Sequence, residues 1–333
     1  MGYDVSGMRK SKKSLNHIHW IGRFGNRMFQ VAYGKTFEKT FNVDFRTVSK
    51  WEGDVLFKNC KTKLISNKKL RQDLLKYGSS ANGQTLEGWA EIIGSHNDST
   101  GDDTAFLYPY DRGSWTKPKT NLAMDCACWD SEYIFKQYNK KYLKRIFEFS
   151  DEIKKSDVYK RAEDKQGTYD VAHLRRDDTV FSEANHNWNY PVISRKSYEK
   201  AFRMFDVDPG GVEWISDDFP SHPSMGWGYP NGQKRIDNIF FDFFPDFLKL
   251  YFGRNIFRAN SSFSWWAAFL SPTGTVYSPI LHDRVLYYED KKELNCEFIK
   301  SNSPHFMHVL GYSFGEECPH KGFHACPFIN IKD

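Results

Sequence analysis

A histidine, two arginines and two carboxylates follow directly on a short apolar run in Asp170-Val171-Ala172-His173-Leu174-Arg175-Arg176-Asp177-Asp178. Such a run predicts a buried strand over 169–174 with its charge gathered at the carboxyl end. In an open α/β sheet that edge is where ligands bind, and paired arginines there point to an anion. The planar guanidinium fork holds two phosphate oxygens at once and stays charged in any surroundings. A strand end with solvated charges looks the same in isolation, so the reading depends on what else the chain brings to that edge.

A second chemical stretch, Asn260-Ser261-Ser262-Phe263-Ser264-Trp265-Trp266-Ala267-Ala268-Phe269-Leu270, has small hydroxyls in front of a helical apolar pattern. Asn260 and Ser261 have the chemistry of helix caps, and Phe263, Trp265, Trp266 and Phe269 that of core residues. Hydroxyls and backbone N–H groups at a helix N-terminus also form a ready anion site. With Arg175 and Arg176 arriving from another strand, the combined expectation is a pyrophosphate cradle. A third stretch, from Gly22-Arg23-Phe24-Gly25-Asn26-Arg27 to Gly34, reads as a glycine turn opening a helix whose Met28, Phe29, Ala32 and Phe37 form a buried stripe. It lacks the third glycine of a dinucleotide fingerprint and the Lys-Ser/Thr ending of a P-loop. Asp206-Val207-Asp208 spells a metal-binding Asp-x-Asp, but it stands before Pro209-Gly210-Gly211, where aspartates favour a turn, and we do not read it as a metal site.

The elements that must position these groups alternate strand and helix. His17–Ile21 reads as a first strand. Residues 45–125 mix Lys-rich helical stretches with a Gly/Asp/Thr/Ser run and read as insertion or lid material. Tyr142–Phe149 has helical spacing, and the polar segment 154–167 is a candidate boundary. Beyond it come the strand 169–174, an irregular loop, a helix over 197–205, a strand at 212–215, a Pro/Gly/Ser-rich loop with Trp227 and Tyr229, and a helix and strand within 246–258. Recurring strand, polar loop and helix predict a parallel α/β sheet with several sites at one edge. The expected domains are an N-terminal arm (1–16), an N-terminal lobe (17–160), a C-terminal lobe (161–300) and a tail (301–333). Trp227 and Tyr229 suit a sugar platform or surface packing equally.

A chain of 333 residues leans toward two domains with a cleft between them, and an aromatic content of 17% supplies ample core material. Net charge is +5, too small and too interspersed to imply nucleic acid. The sequence has no run of about eighteen apolar residues and no apolar signal-peptide core, so a soluble cytoplasmic protein is expected, of microbial or viral origin or trimmed from an anchored Golgi enzyme. Gly2 and Ser6, followed by Arg9, Lys10, Lys12 and Lys13, leave a weak peripheral membrane contact open. The six cysteines are too sparse for a disulfide scaffold and read as free thiols. Cys318, His320, His324 and Cys326 cluster without a standard zinc spacing, as a chance grouping or one disulfide.

Four blocks, in order, resemble the alpha-1,2-fucosyltransferases of glycosyltransferase family 11. Gly22 to Gln30 is similar to that family's Gly-Gly-Leu-Gly-Asn-Gln-Met-Phe-Gln. Trp129-Asp130-Ser131-Glu132-Tyr133-Ile134 is similar to its Trp-Gln-Ser-Glu segment. His173 to Asp178 resembles His-x-Arg-Arg-Gly-Asp, and Asn260 to Leu270 resembles Asn-Ser-Thr-Phe-Ser-Trp-Trp-Ala-Ala-x-Leu. Arg23 and Asp177 replace glycines of those patterns. His173, Arg175, Arg176, Asp178 and Glu183 also resemble the His-x-Arg-Arg-x-Asp-Lys-x-x-x-Glu pattern of alpha-1,6-fucosyltransferases, with Thr179 at the Lys position.

The resemblance implies a GT-B fold of two Rossmann-like lobes, GDP-fucose as donor, a glycan hydroxyl as acceptor, no required metal and inversion at the anomeric carbon. It implies that Arg175 binds the β-phosphate, that Arg176 supports the loop or a second oxygen, and that His173 and Asp246 face guanine and ribose. Ser262, with the backbone of Ser261 or Phe263, would hold the phosphates, and Gly25 and Asn26 would line the donor site from the first loop. Glu183, then Asp178, are the candidate bases for the acceptor hydroxyl. Another nucleotide-sugar donor on the same fold (GDP-rhamnose, GDP-mannose or a UDP-sugar), or a catalytically silent GDP-sugar or glycan-binding module, are the readings left open.

Overall fold

The computed structural model describes residues 12–78, 88–89, 91–93, 95–96, 104–106, 117–124, 140–175, 193–216, 243–282, 296–300, 307–310 and 328–330. Five strands make the first sheet: β1 (Ser14–His17), β2 (Asp44–Thr47), β3 (Lys63–Leu64), β4 (Thr104–Phe106) and β5 (Asn121–Met124), all parallel in the order β3-β2-β1-β5-β4. Helices α1 (Phe24–Phe41), α2 (Gly53–Leu56) and α3 (Lys68–Gly78) connect the earlier strands.

Two expectations change here. The first strand ends at His17 instead of beginning there. Its Ser14 and Asn16 are polar, but Ser14 binds Asn121 Oδ1 on β5 through its backbone N–H (3.0 Å) and hydroxyl (3.2 Å), and Asn16 Nδ2 donates to Ser14 Oγ. Pairing across strands makes a polar central strand affordable, and apolar periodicity cannot register it. The stretch 45–125, read as insertion, supplies strands to this sheet.

The segment expected to be a boundary is helical. After α4 (Lys140–Ile146) come α5 (Asp151–Lys155) and α6 (Asp157–Glu163), each capped by a serine, Ser150 and Ser156, whose hydroxyl accepts from the backbone three residues on. Tyr159 of α6 is buried against Phe149 and Phe252.

The second sheet contains β6 (Asp170–Leu174), β7 (Val212–Ser216), β8 (Asn255–Phe257), β9 (Thr275–His282), β10 (Glu297–Lys300), β11 (Met307–Leu310) and β12 (Phe328–Asn330). Its order is β12-β11-β9-β8-β6-β7, parallel throughout except for β10, which pairs antiparallel with β9. The tail beyond 300 thus returns to the sheet through β11 and β12. Helices α7 (Arg195–Met204), α8 (Phe244–Phe252) and α9 (Ser262–Leu270) flank it. Two parallel α/β sheets agree with the expected fold class. At the amino end of β6, Asp170 is held by Arg254 through Nε (2.9 Å) and Nη2 (2.7 Å) and by Asn255 (2.8 Å). Burial by itself would raise this carboxyl, but those bonds draw it below the ordinary aspartate value.

The largest core cluster takes residues from both halves. Phe29 of α1 lies 4.9 Å from the rings of Trp265 and of Trp266 on α9. Trp265 stacks on Phe269 at 4.9 Å, so the aromatics placed in the core from their spacing are core. Among the described residues no helix is long and apolar enough to cross a membrane. Asp208 Oδ1 accepts from Gly210 N–H in a short 3-10 turn, in keeping with the turn reading of Asp206-Val207-Asp208.

Candidate functional site

The first turns of three helices meet between the sheets. The turn from β1 into α1 needs Gly22, which has φ +69° and on whose Cα the Asn26 amide rests; a Cβ there would lie 2.1 Å from Asn26 Nδ2. The helix holds its own leading loop: Gln30 receives Ile21 N–H (3.2 Å) and donates to Ile21 O (2.7 Å), and Arg27 Nε donates to Gly22 O (3.1 Å).

This first turn abuts that of α9. A Cβ on Gly25 would stand 2.5 Å from Phe263 N and 2.6 Å from Ser262 C, so only glycine allows the two backbones to come this close. Ser262 Oγ donates to Asn26 Oδ1 at 2.5 Å and ties the turns together. The Ser262 hydroxyl is therefore engaged, and its backbone N–H is the group that remains at the helix end. Ser261 occupies the cap position with extended backbone, yet its hydroxyl caps nothing. Only 1% of the residue is exposed and Oγ has no hydrogen-bond partner.

Helix α8 adds the third first turn. Phe243 lies 4.5 Å from Phe24 and 6.2 Å from Phe263, and Phe247 lies 5.5 Å from Phe263. These rings bind the three turns into one cluster. Asp246 is buried in the first turn of α8, where a carboxylate suits the helix dipole. The first turns of α1 and α9 contain no acidic residue, so their partial positive charge is not offset from within the helix.

From the other side, β6 brings His173, buried, with its ring 5.8 Å from Phe263. The strand end is fixed by Tyr198, whose hydroxyl donates to His173 O (2.7 Å), and by Ser216, whose hydroxyl donates to Leu174 O (3.0 Å). Arg175 follows, half-buried. Arg258, at the end of β8, is fully buried and donates through Nε to Ser278 Oγ (2.7 Å), and burial draws its guanidinium down to about 9. The first turns of α1 and α9, with no carboxylate of their own, and Arg175 at the end of the neighbouring strand β6 suit an anion.

The structure thus brings Gly25, Asn26, Ser261, Ser262, Phe263 and His173 into one place, with Asp246 on the first turn of α8 and Arg175 at the end of β6. Arg176, Asp178 and Glu183 lie outside the described residues, as do Trp129–Ile134, Trp227, Tyr229 and the Cys318–Cys326 cluster. Sequence reasoning missed Tyr198, Ser216 and Arg258. Tyr198 and Ser216 act through strand-end carbonyls, which no motif marks. Arg258 had a signal that was passed over, a charge inside the apolar run Ile256-Phe257-Arg258-Ala259. Cys60 and Cys296 are free and buried, in line with the thiol expectation; the other four cysteines are outside the described residues. Among the described residues no cluster of metal-ligating side chains forms.

No family model matches the chain, and no curated protein matches it in sequence. Among solved structures it is similar to the NodZ alpha-1,6-fucosyltransferase co-crystallised with GDP, at 13% identity and a TM-score of 0.44 over 81% of this chain and 95% of that one. It is similar to fucosyltransferase NodZ from Bradyrhizobium at 11% identity and 0.45, over 88% and 99%. A variant of FUT1 of Arabidopsis thaliana in complex with GDP matches at 12% identity and 0.43, over 90% of this chain and 77% of that one.

Proposed function

We propose that the chain is a metal-independent, inverting glycosyltransferase that moves L-fucose from GDP-fucose to a hydroxyl of a glycan. The observation that carries this reading is the junction of the first turns of α1 and α9, with the buried, unpartnered Ser261 hydroxyl at the junction and Arg175 at the neighbouring strand end. A diphosphate supplies the negative charge and the acceptor oxygens that such a junction lacks. The sugar comes from the resemblance of the blocks at 22–30, 173–178 and 260–270 to fucosyltransferases.

Breaking the bond between C1 of the sugar and the β-phosphate oxygen builds negative charge on the departing diphosphate and positive charge on the sugar ring. Fixed N–H donors and a guanidinium at the phosphate lower that barrier without moving. In this reading Arg175 holds the β-phosphate with Arg176 beside it, and the Ser261 hydroxyl with the N–H groups of Ser262 and Phe263 holds the remaining oxygens. Gly25 and Asn26 close the site from the first lobe, and His173 and Asp246 face the nucleoside. The blocks at 22–30 and 260–270 favour an alpha-1,2 linkage, whereas the spacing around Arg175 favours alpha-1,6, and product linkage analysis decides between them.

The test is incubation with GDP-fucose, GDP-mannose, GDP-rhamnose and UDP-sugars in EDTA, following nucleotide release with and without acceptor sugars. Release of GDP from GDP-fucose alone, undiminished by EDTA, is expected. Release from another donor moves the chain to a sister activity. Tight GDP binding without turnover makes it a binding module, and no GDP binding refutes the reading.

A further inference from the structure

Glu52 stands at the start of α2, just beyond the carboxyl end of β2, in the half of the chain that contributes only one turn to the anion site. Its side chain is 5% exposed. Oε1 receives Arg27 Nη1 at 2.7 Å, and no donor reaches the buried Oε2. The preceding residue repeats the pattern with the opposite polarity: Trp51 is buried and its indole N–H has no acceptor. A buried acceptor and a buried donor on consecutive residues are each costly unless a ligand or an ordered water satisfies them. A hydroxyl group, which both donates and accepts, complements the pair.

A short series of contacts connects Glu52 to the anion site. Its partner Arg27 also donates to Gly22 O (3.1 Å), the Cα of Gly22 carries the Asn26 amide, and Asn26 receives the Ser262 hydroxyl. Trp51 is stacked 6.0 Å from Phe24, itself in the aromatic cluster that gathers the three helix ends. The series ties the carboxylate to the first turn of α1, in the half of the chain across from the α9 and β6 ends that hold the diphosphate in the glycosyl-transfer reading.

Building on the glycosyl-transfer reading, we propose that Glu52, in place of the Glu183 or Asp178 expected from the sequence, takes the proton of the acceptor hydroxyl. The acceptor oxygen forms its bond to C1 as the C1–O bond to the β-phosphate breaks. The bonding pair leaves on the diphosphate, and the hydroxyl proton passes to Glu52 Oε2. Arg27 holds the other oxygen and orients the carboxylate.

The decisive variant is Glu52→Gln, which keeps the shape of the side chain and an oxygen for Arg27 but cannot take a proton. With wild-type GDP binding established first, the assay is GDP release from GDP-fucose with methyl β-galactoside and chitotriose as acceptors, alongside GDP affinity and melting temperature. General-base catalysis predicts a fall in kcat on the order of 100- to 10,000-fold with acceptor KM and GDP affinity unchanged, while loss of the pair with Arg27 lowers the melting temperature without emptying the folded state at the assay temperature. Wild-type kcat in Glu52→Gln, or a change in acceptor KM alone, overturns the proposal. Should that variant fail to fold, Glu52→Asp keeps the charge but withdraws it by one methylene, and wild-type kcat there overturns the proposal equally. A wild-type chain that binds no GDP refutes the donor reading itself and Glu52 with it, whereas a wild-type chain that turns over, matched by Glu52→Gln, refutes Glu52 alone.

Discussion

Gly25→Ala perturbs the anion site through a single methyl group. That methyl would stand 2.5 Å from Phe263 N, 2.6 Å from Ser262 C and 2.8 Å from Phe263 Cα, all backbone atoms that no rotamer change can clear. Restoring ordinary contact requires the first turns of α1 and α9 to part by roughly 1 Å. Overpacking of this kind costs about 1–3 kcal/mol, and the better helix propensity of alanine returns about 1 kcal/mol. The fold should therefore survive with a net loss of about 0–2 kcal/mol. Function should suffer far more, because a 1 Å misplacement of positioning groups costs on the order of 100-fold in rate. The assay pairs GDP titration calorimetry and GDP release with a urea midpoint. Gly34→Ala is the control: it lies on the same helix, and its methyl would meet the ring of Phe45, 2.2 Å away and buried in the core. Gly34→Ala should lose stability while its folded fraction turns over normally. Wild-type affinity and turnover in Gly25→Ala would show that the close approach of the two helices serves packing alone, and the anion site built on it would fall.

Three further outcomes are expected. Arg175→Ala should lower transfer by on the order of 100- to 1000-fold, and Arg175→Lys should recover little because a point charge cannot reproduce the guanidinium fork; a lysine variant with most of its activity would remove the bidentate role. Asp170→Asn should cost about 1–3 kcal/mol near neutral pH. The wild-type carboxyl lies below its unfolded value, so its contribution is present above about pH 4 and is lost as pH falls through the depressed folded value. Urea midpoints of the two proteins should therefore converge in acid, and parallel curves would contradict the assignment. Burial lifts the Cys296 thiol to about 12 and that of Cys60 well above its usual value, so iodoacetamide at pH 8 followed by peptide mapping should leave both unlabelled in the native chain and label them in urea.

Strand-to-helix alternation was legible wherever the strand was apolar. Asp170–Leu174, Val212–Ser216 and the helix through Met28, Phe29, Ala32 and Phe37 are where periodicity places them, because one-sided burial imposes that periodicity. The reading failed where burial is reached by polar pairing, as at Ser14 with Asn121, and where strands are too short to show a period, as at Lys63–Leu64. At the site, glycine and serine positions could be read from the sequence because close approach and helix ends demand those types. What the sequence could not express is which helix ends meet: Asn26 and Ser262 are 236 residues apart, and nothing local to either signals the bond between them.

That bond also explains why the anion site and the packing between the two halves cannot be separated. The rings that gather the helix ends, Phe24, Phe243, Phe247 and Phe263, belong to or border the largest core cluster, which spans both sheets. A helix N-terminus is a useful electrostatic element only if its N–H groups are fixed before the ligand arrives, since reorganising dipoles would consume the stabilisation they provide. Burying the first turns under aromatic rings fixes them, and Ser261, without a cap partner, has a hydroxyl that a ligand could take up. A Ser261→Ala chain separates the two roles. If the hydroxyl serves only folding, through a bond made in the unliganded chain, removing it should lower stability and leave GDP affinity unchanged. If it serves the diphosphate, stability should rise while GDP affinity falls, and only that opposition between the two measurements fits the site described above.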